Sequence, residues 1–190
     1  YISGDVSRVE TFKKFSTLED DVLNSGNHLW YVATLPHLYQ DVVRNLYAAH
    51  VHKAKSGWTK FLLEKPFGIN LNSSRELNAE LEKVFEEEQI YRIDHFLAKE
   101  TVQNILVFRF ANGIFENLWN RKFIDHIQIN ATETLGIAGR EAFYDATGTV
   151  RDVIQNHVLQ MLAVTMMEEP VSLAAQDIRN ARQHVLTQLR

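Results

Sequence analysis

The 190-residue sequence contains no cysteine. That absence excludes a disulfide framework and thiolate metal sites, is compatible with a reducing cytosol, and leaves any redox chemistry to a cofactor. Positive charge is not in excess either: the formal net charge is -4. Without the basic stripe that tracks a nucleic-acid backbone, nucleic acid is not an expected partner. The longest apolar-leaning run, residues 157–167, is broken by glutamine and threonine and is too short to cross a bilayer, so no membrane partner is expected. No signal or transit pattern precedes the first element. The 8 glycines include no Gly-x-Gly-x-x-Gly turn or comparable cluster. The phosphate-binding half of a dinucleotide fold is therefore not expected in these residues, nor is appreciable dinucleotide binding by them alone. The chain opens on Tyr1, and its last helix stops at Arg190 without a Gly or Pro signal, as expected of a piece of a longer protein.

What is present is an ordinary globular composition, 45% hydrophobic, sufficient for one large domain or one domain plus part of another. Residues 9–23 read as a weakly amphipathic surface helix. Residues 28–34, aromatic and β-branched and closed by Leu35-Pro36, predict a buried strand. Leu38, Tyr39, Val42, Val43, Leu46 and Tyr47 then recur at helical spacing. Residues 59–64 give a second apolar strand ending at Lys65-Pro66-Phe67-Gly68, and strand, helix, strand at this length is a parallel crossover unit. Ser73-Ser74-Arg75-Glu76 offers a capping box for a helix that buries Leu77, Leu81, Val84 and Phe85 and leaves Glu86, Glu87 and Glu88 to water. A third strand follows over residues 89–93. Polar groups in open parallel sheets collect at the carboxyl ends of strands, where Pro36, Lys65 and Asp94 fall. Beyond Lys99, a helix through Val102, Ile105, Leu106 and Phe108 leads to residues 123–130, whose alternation predicts a strand with one wet face. Gly136 and Gly139 mark a loop, residues 149–167 a long helix and residues 172–189 a last one.

The chemistry concentrates in Arg92-Ile93-Asp94-His95-Phe96-Leu97-Ala98-Lys99-Glu100. If the chain turns helical at about Asp94, His95 and Lys99 stand four apart on one face as two cations, while Asp94 caps the free amides. Such a turn suits a phosphate, and it equally suits a capped helix start with a solvated histidine and lysine. His157 follows Val153 and Ile154 and precedes Met161 on its helix, so it points into an apolar face, as either a satisfied core histidine or a base. Asp152 near the same helix start is a favourable charge for the dipole.

Four ordered blocks carry a resemblance: Glu64-Lys65-Pro66-Phe67-Gly68, Arg92-Ile93-Asp94-His95, Lys99-Glu100, and Arg151-Asp152 with Gln155-Asn156-His157. Together with Arg109-Phe110-Ala111-Asn112, Trp119-Asn120-Arg121 and Gln160-Met161-Leu162, they make residues 29–186 similar to the glucose-6-phosphate dehydrogenase family. The resemblance implies an α/β to α+β fold. Residues 1–93 would be the second half of a Rossmann-type dinucleotide-binding sheet, and residues 94–190 the start of a helix-plus-antiparallel-sheet substrate domain. It implies oxidation of glucose 6-phosphate at C1 with NADP, or NAD, as hydride acceptor, by a homo-oligomeric cytoplasmic parent protein. His157 would be the proton acceptor and Asp94 the carboxylate supporting it. His95 and Lys99 would bind the sugar phosphate, Lys65 would lie between the reacting hydroxyl and the nicotinamide, Tyr39 near the cofactor, and Glu133 and Asp152 would hold sugar hydroxyls. No metal is assigned. Phe96 and Ala98 stand where the family commonly has tyrosine and glycine, which implies weaker phosphate binding, and Leu35 replaces the first proline of a common pair. Two other readings remain: a related dehydrogenase of unphosphorylated sugars, and a silent scaffold that keeps the family's core.

Overall fold

The computed structural model describes residues 1–16, 26–132, 134 and 136–189. The chain divides into two compact units, Tyr1–Ile93 and Asp94–Arg190.

In the first unit, three parallel strands, β1 (His28–Val32), β2 (Thr59–Glu64) and β3 (Ile90–Ile93), form one sheet in the order β1-β2-β3. The alternation along β2 decides its face: Thr59, Phe61 and Leu63 are buried. They meet Val42, Val43 and Leu46 of helix α2 (Tyr39–Ala48) and Leu77 and Leu81 of helix α3 (Leu71–Glu82) in a single core. Each fully buried aliphatic side chain there contributes about 1.5–3 kcal/mol. Helix α1 (Val9–Ser16) adds Phe12 to the core; the rest of the helix expected over residues 9–23 lies outside the described residues. The register pairs Val32 with Leu63 and Glu64 with Ile93. The carboxyl ends of the three strands are therefore nearly level, with Lys65 directly after one of them.

One local detail differs from the sequence expectation. Helix α3 begins at Leu71, one turn before the expected cap, because Asn70 accepts the Ser73 N–H at 2.9 Å and Ser73 Oγ accepts the Asn70 N–H at 3.1 Å. That reciprocal pair satisfies two free amides. Gly68 has φ of +99°, and a Cβ there would stand 2.6 Å from the Ser74 backbone nitrogen, so the turn after β2 packs against α3 only with glycine at this position. Arg44 of α2 and Lys83 just beyond α3 both bond Glu80, which holds its carboxyl at about 2.

The second unit is helical: α4 (Glu100–Phe110), the short α5 (Gly113–Glu116), α6 (Glu141–Thr149), a π-helix (Val150–Val158), α7 (Leu159–Met166) and α8 (Ala175–Gln188). Ala163 and Met167 pack with Val185, Leu106, Phe110 and Ile178. Arg109, only 2% exposed, pairs with Glu116 at 2.9 Å and donates to the carbonyls of Val164 at 3.3 Å and Thr165 at 2.9 Å. The strand expected over residues 123–130 is a correction: the segment pairs with no strand among the described residues. Alternation defines which face is wet but supplies no partner for the backbone. The long helix expected over residues 149–167 is also revised, since Val150–Val158 wind as a π-helix after a break at Gly148, where φ is 73° and ψ 161°. Among the described residues, no helix is long and apolar enough to cross a membrane.

Candidate active site

Residues 94–99 do not form the expected first helical turn. They make consecutive turns, and α4 starts only at Glu100. The cause is Asp94: its Oδ1 accepts the Phe96 N–H at 3.0 Å, and a carboxylate that binds the backbone two residues on competes with helix. His95 and Lys99 therefore do not share a helical face.

The same carboxylate reaches across 63 residues of sequence to His157, whose Nδ1 lies 2.6 Å from Asp94 Oδ1. The side chains are 3% and 14% exposed, so this bond is nearly dry. A carboxylate can only accept, which puts the ring hydrogen on Nδ1 and leaves the lone pair on Nε2. His157 is thus neither a packed apolar histidine nor a solvated one.

Aromatic contacts assemble the remaining groups around that pair. The Phe96 ring stacks on His157 with centroids 4.1 Å apart and planes 14° apart, and the His95 ring meets His157 edge-on at 4.5 Å. The Lys99 ammonium lies 3.9 Å from the Phe96 ring centre. Because His157 fills one face of Phe96, the ammonium occupies the other. Lys99 is thus brought to the dyad by Phe96, which the sequence marked only as a lost hydroxyl, and His95 by its own contact with the imidazole.

The π-helix decides where Asp152 points. With 100° per residue in an α-helix, Asp152 and His157 would diverge by about 140°, whereas i to i+5 closure stacks them about one turn apart. Asn156 Nδ2 donates to the Arg151 carbonyl at 2.7 Å, bracing that turn. Within electrostatic reach of Asp94, Arg182 of α8 donates to Gln160 Oε1 at 3.1 Å. Burial pushes the Arg182 guanidinium below its ordinary value, with Arg179 adding to the fall and the charge of Asp94 opposing it. Arg182 carried no sequence signal, being one basic residue of a mostly exposed helix.

Of the other predicted residues, Tyr39 and Lys65 belong to the first unit. Tyr39 is 2% exposed, and its hydroxyl donates to the Glu64 carbonyl at 3.0 Å, fixing the end of β2 from which Lys65 follows. Tyr31 hydrogen-bonds the Glu64 carboxylate at the same strand end. Burial and the nearby Glu64 charge push the Tyr39 phenol up. Glu133 lies outside the described residues.

Fold and site together define an α/β protein in which a parallel sheet is followed by a carboxylate-paired imidazole suited to proton transfer. The family profile "Glucose-6-phosphate dehydrogenase, NAD binding domain" matches residues 1–104, and "Glucose-6-phosphate dehydrogenase, C-terminal domain" matches residues 106–190. The glucose-6-phosphate 1-dehydrogenase of Aggregatibacter actinomycetemcomitans is 45% identical over 177 residues, covering 93% of this chain and 36% of that protein. That of Bacillus subtilis is 43% identical over 194 residues, covering 100% of this chain and 40% of its own length. Among solved structures, the Mycobacterium avium enzyme superposes with a TM-score of 0.85 at 39% identity, covering 98% of this chain and 40% of the other. A glucose-6-phosphate dehydrogenase in complex with glucose 6-phosphate gives 0.87 at 34% identity, covering 97% and 39%. The chain belongs to the glucose-6-phosphate dehydrogenase family, and it spans 36% and 40% of the length of the two relatives named first.

Proposed function

We propose that the protein of which these residues form part oxidises glucose 6-phosphate at C1 to the 6-phosphogluconolactone, passing hydride to NADP. The observation that carries this reading is the buried His157–Asp94 bond with His95 and Lys99 gathered beside it. Hydride can leave C1 only as the O1 proton is taken up, and an imidazole with its lone pair on Nε2 is the group for that transfer. Asp94 holds the ring in the required tautomer and stabilises the imidazolium that forms. His95 and Lys99 bind the 6-phosphate, whose distance from C1 lets its binding orient the sugar without entering the chemistry. Asp152, turned toward the His157 side by the π-helix, accepts from sugar hydroxyls, and Glu133 does the same.

Residues 1–93 are then the carboxyl-terminal half of a dinucleotide-binding domain, and residues 94–190 the beginning of the substrate domain. A level edge of parallel strand ends, with Lys65 following β2 and Tyr39 bracing it, fits the nicotinamide side of such a site. Nicotinamide, when bound, supplies the hydride-accepting carbon. Lys65 contributes its ammonium to substrate and cofactor, and Tyr39 contributes to the cofactor site. We take the parent protein to work in the cytoplasm as a homo-oligomer.

The test is the parent protein's reduction of NADP with glucose 6-phosphate and with glucose. Two charge-assisted phosphate contacts predict a preference in kcat/KM of about 100-fold or more for the phosphorylated sugar. Equal rates with the two sugars would assign the site to a dehydrogenase of unphosphorylated substrates.

A further inference from the structure

Asp94, His95 and His157 each present one donor atom, and these three atoms lie within 4.8 Å of one another. Asp94 and His95 are adjacent and His157 comes from a distant helix, so no spacing motif announces the set. We propose that they form a binding site for a divalent cation of the zinc class, and that an ion held there silences the imidazole. The site goes beyond the proposed reaction, since it rests on the donor geometry alone, and only its consequence for turnover depends on that reaction.

Two imidazoles and one carboxylate are the donor types of borderline ions such as Zn²⁺, and nitrogen donors select against Mg²⁺ and Ca²⁺. Three protein ligands and a water complete a tetrahedron. With metal–ligand distances of about 2.0–2.1 Å, donors in such a tetrahedron stand about 3.3 Å apart. His157 and Asp94 are closer than that, at 2.6 Å, and the remaining closure falls to His95, whose exposed ring is the one able to swing. An ion at Nε2 of His157 occupies the lone pair that would take a proton. An ion at Nδ1 replaces the hydrogen shared with Asp94. Either way the dyad ceases to work as an acid–base pair. Lys99, held on Phe96, and Arg182, within electrostatic reach of Asp94, oppose the incoming charge and set the affinity in the micromolar rather than the nanomolar range.

The experiment is calorimetric titration of ZnCl₂ into the 190-residue chain and its His95→Gln and His126→Gln variants, with circular dichroism to verify folding. His126 beside Asp125 is an exposed pair able to attract an ion of its own and serves as the control. The expected result is one micromolar site that His95→Gln weakens at least about 10-fold and His126→Gln leaves unchanged. Equal affinity in the wild type and His95→Gln, or loss of the site in His126→Gln, overturns the proposal. Should His95→Gln fail to fold, histidine ring NMR signals of the wild type decide: zinc must shift the His95 and His157 rings together, and a titration that moves neither overturns it as well.

Discussion

At the scale of single residues, the decisive feature is that one carboxylate has two tasks. Asp94 Oδ1 bonds the Phe96 amide at 3.0 Å and His157 at 2.6 Å. The first bond stops a helix from starting, and the second orients the imidazole. Phe96 converts this local arrangement into a site by stacking on His157 and carrying Lys99 on its other face. A cation over an exposed or half-exposed phenylalanine contributes about 0.5–1 kcal/mol, enough to bias the ammonium toward one place without fixing it. Lys99→Ala in the parent protein is therefore expected to weaken glucose 6-phosphate binding about 10- to 100-fold while changing kcat much less, because a phosphate contact is made in ground and transition states alike. Equilibrium binding and steady-state kinetics check this, and an unaltered affinity removes Lys99 from the phosphate site. The identities of Asp94, His95, Lys99 and His157 were legible as candidates in the sequence. The pairing of Asp94 with His157 was reachable through the resemblance, whereas the placement of His95 and Lys99 was not, because a helical wheel drawn through Asp94 ignores the competing bond that its side chain makes.

At the scale of elements, the three strands and the helices between them follow from periodicity and turn chemistry, and β2 ends at the expected residue. Where expectation failed, a partner or a winding was at stake. Residues 123–130 alternate as a strand does but pair with no described strand. The segment that carries Asp152 and His157 winds as a π-helix, and nothing in its apolar spacing distinguishes i+5 from i+4 closure. Arg109 was equally hidden: its sequence position on α4 does not reveal that it is 2% exposed and ties α4 to Glu116 and to the carboxyl end of α7. Removing Glu116 leaves that guanidinium buried without its counter-charge. Glu116→Gln is expected to destabilise the second unit by about 3 kcal/mol, and Arg109→Met combined with it by less, because the double substitution removes both charges. Urea unfolding followed by circular dichroism measures both, and a single variant as stable as the wild type would contradict the role given to this pair.

At the scale of the whole molecule, the strand, helix, strand order and the missing glycine turn indicated an α/β chain carrying part of a nucleotide-binding fold, and the parallel sheet and family membership agree with that. The reaction itself was legible only through the resemblance, since neither net charge nor periodicity distinguishes one sugar from another. The account depends on the imidazole of His157 acting as a base. The most direct measurement is turnover and glucose 6-phosphate affinity of the parent protein carrying His157→Asn. Turnover is expected to fall about 10²- to 10⁴-fold with affinity nearly intact, because general-base catalysis is expressed in the transition state. Turnover equal to that of the wild type would contradict the account.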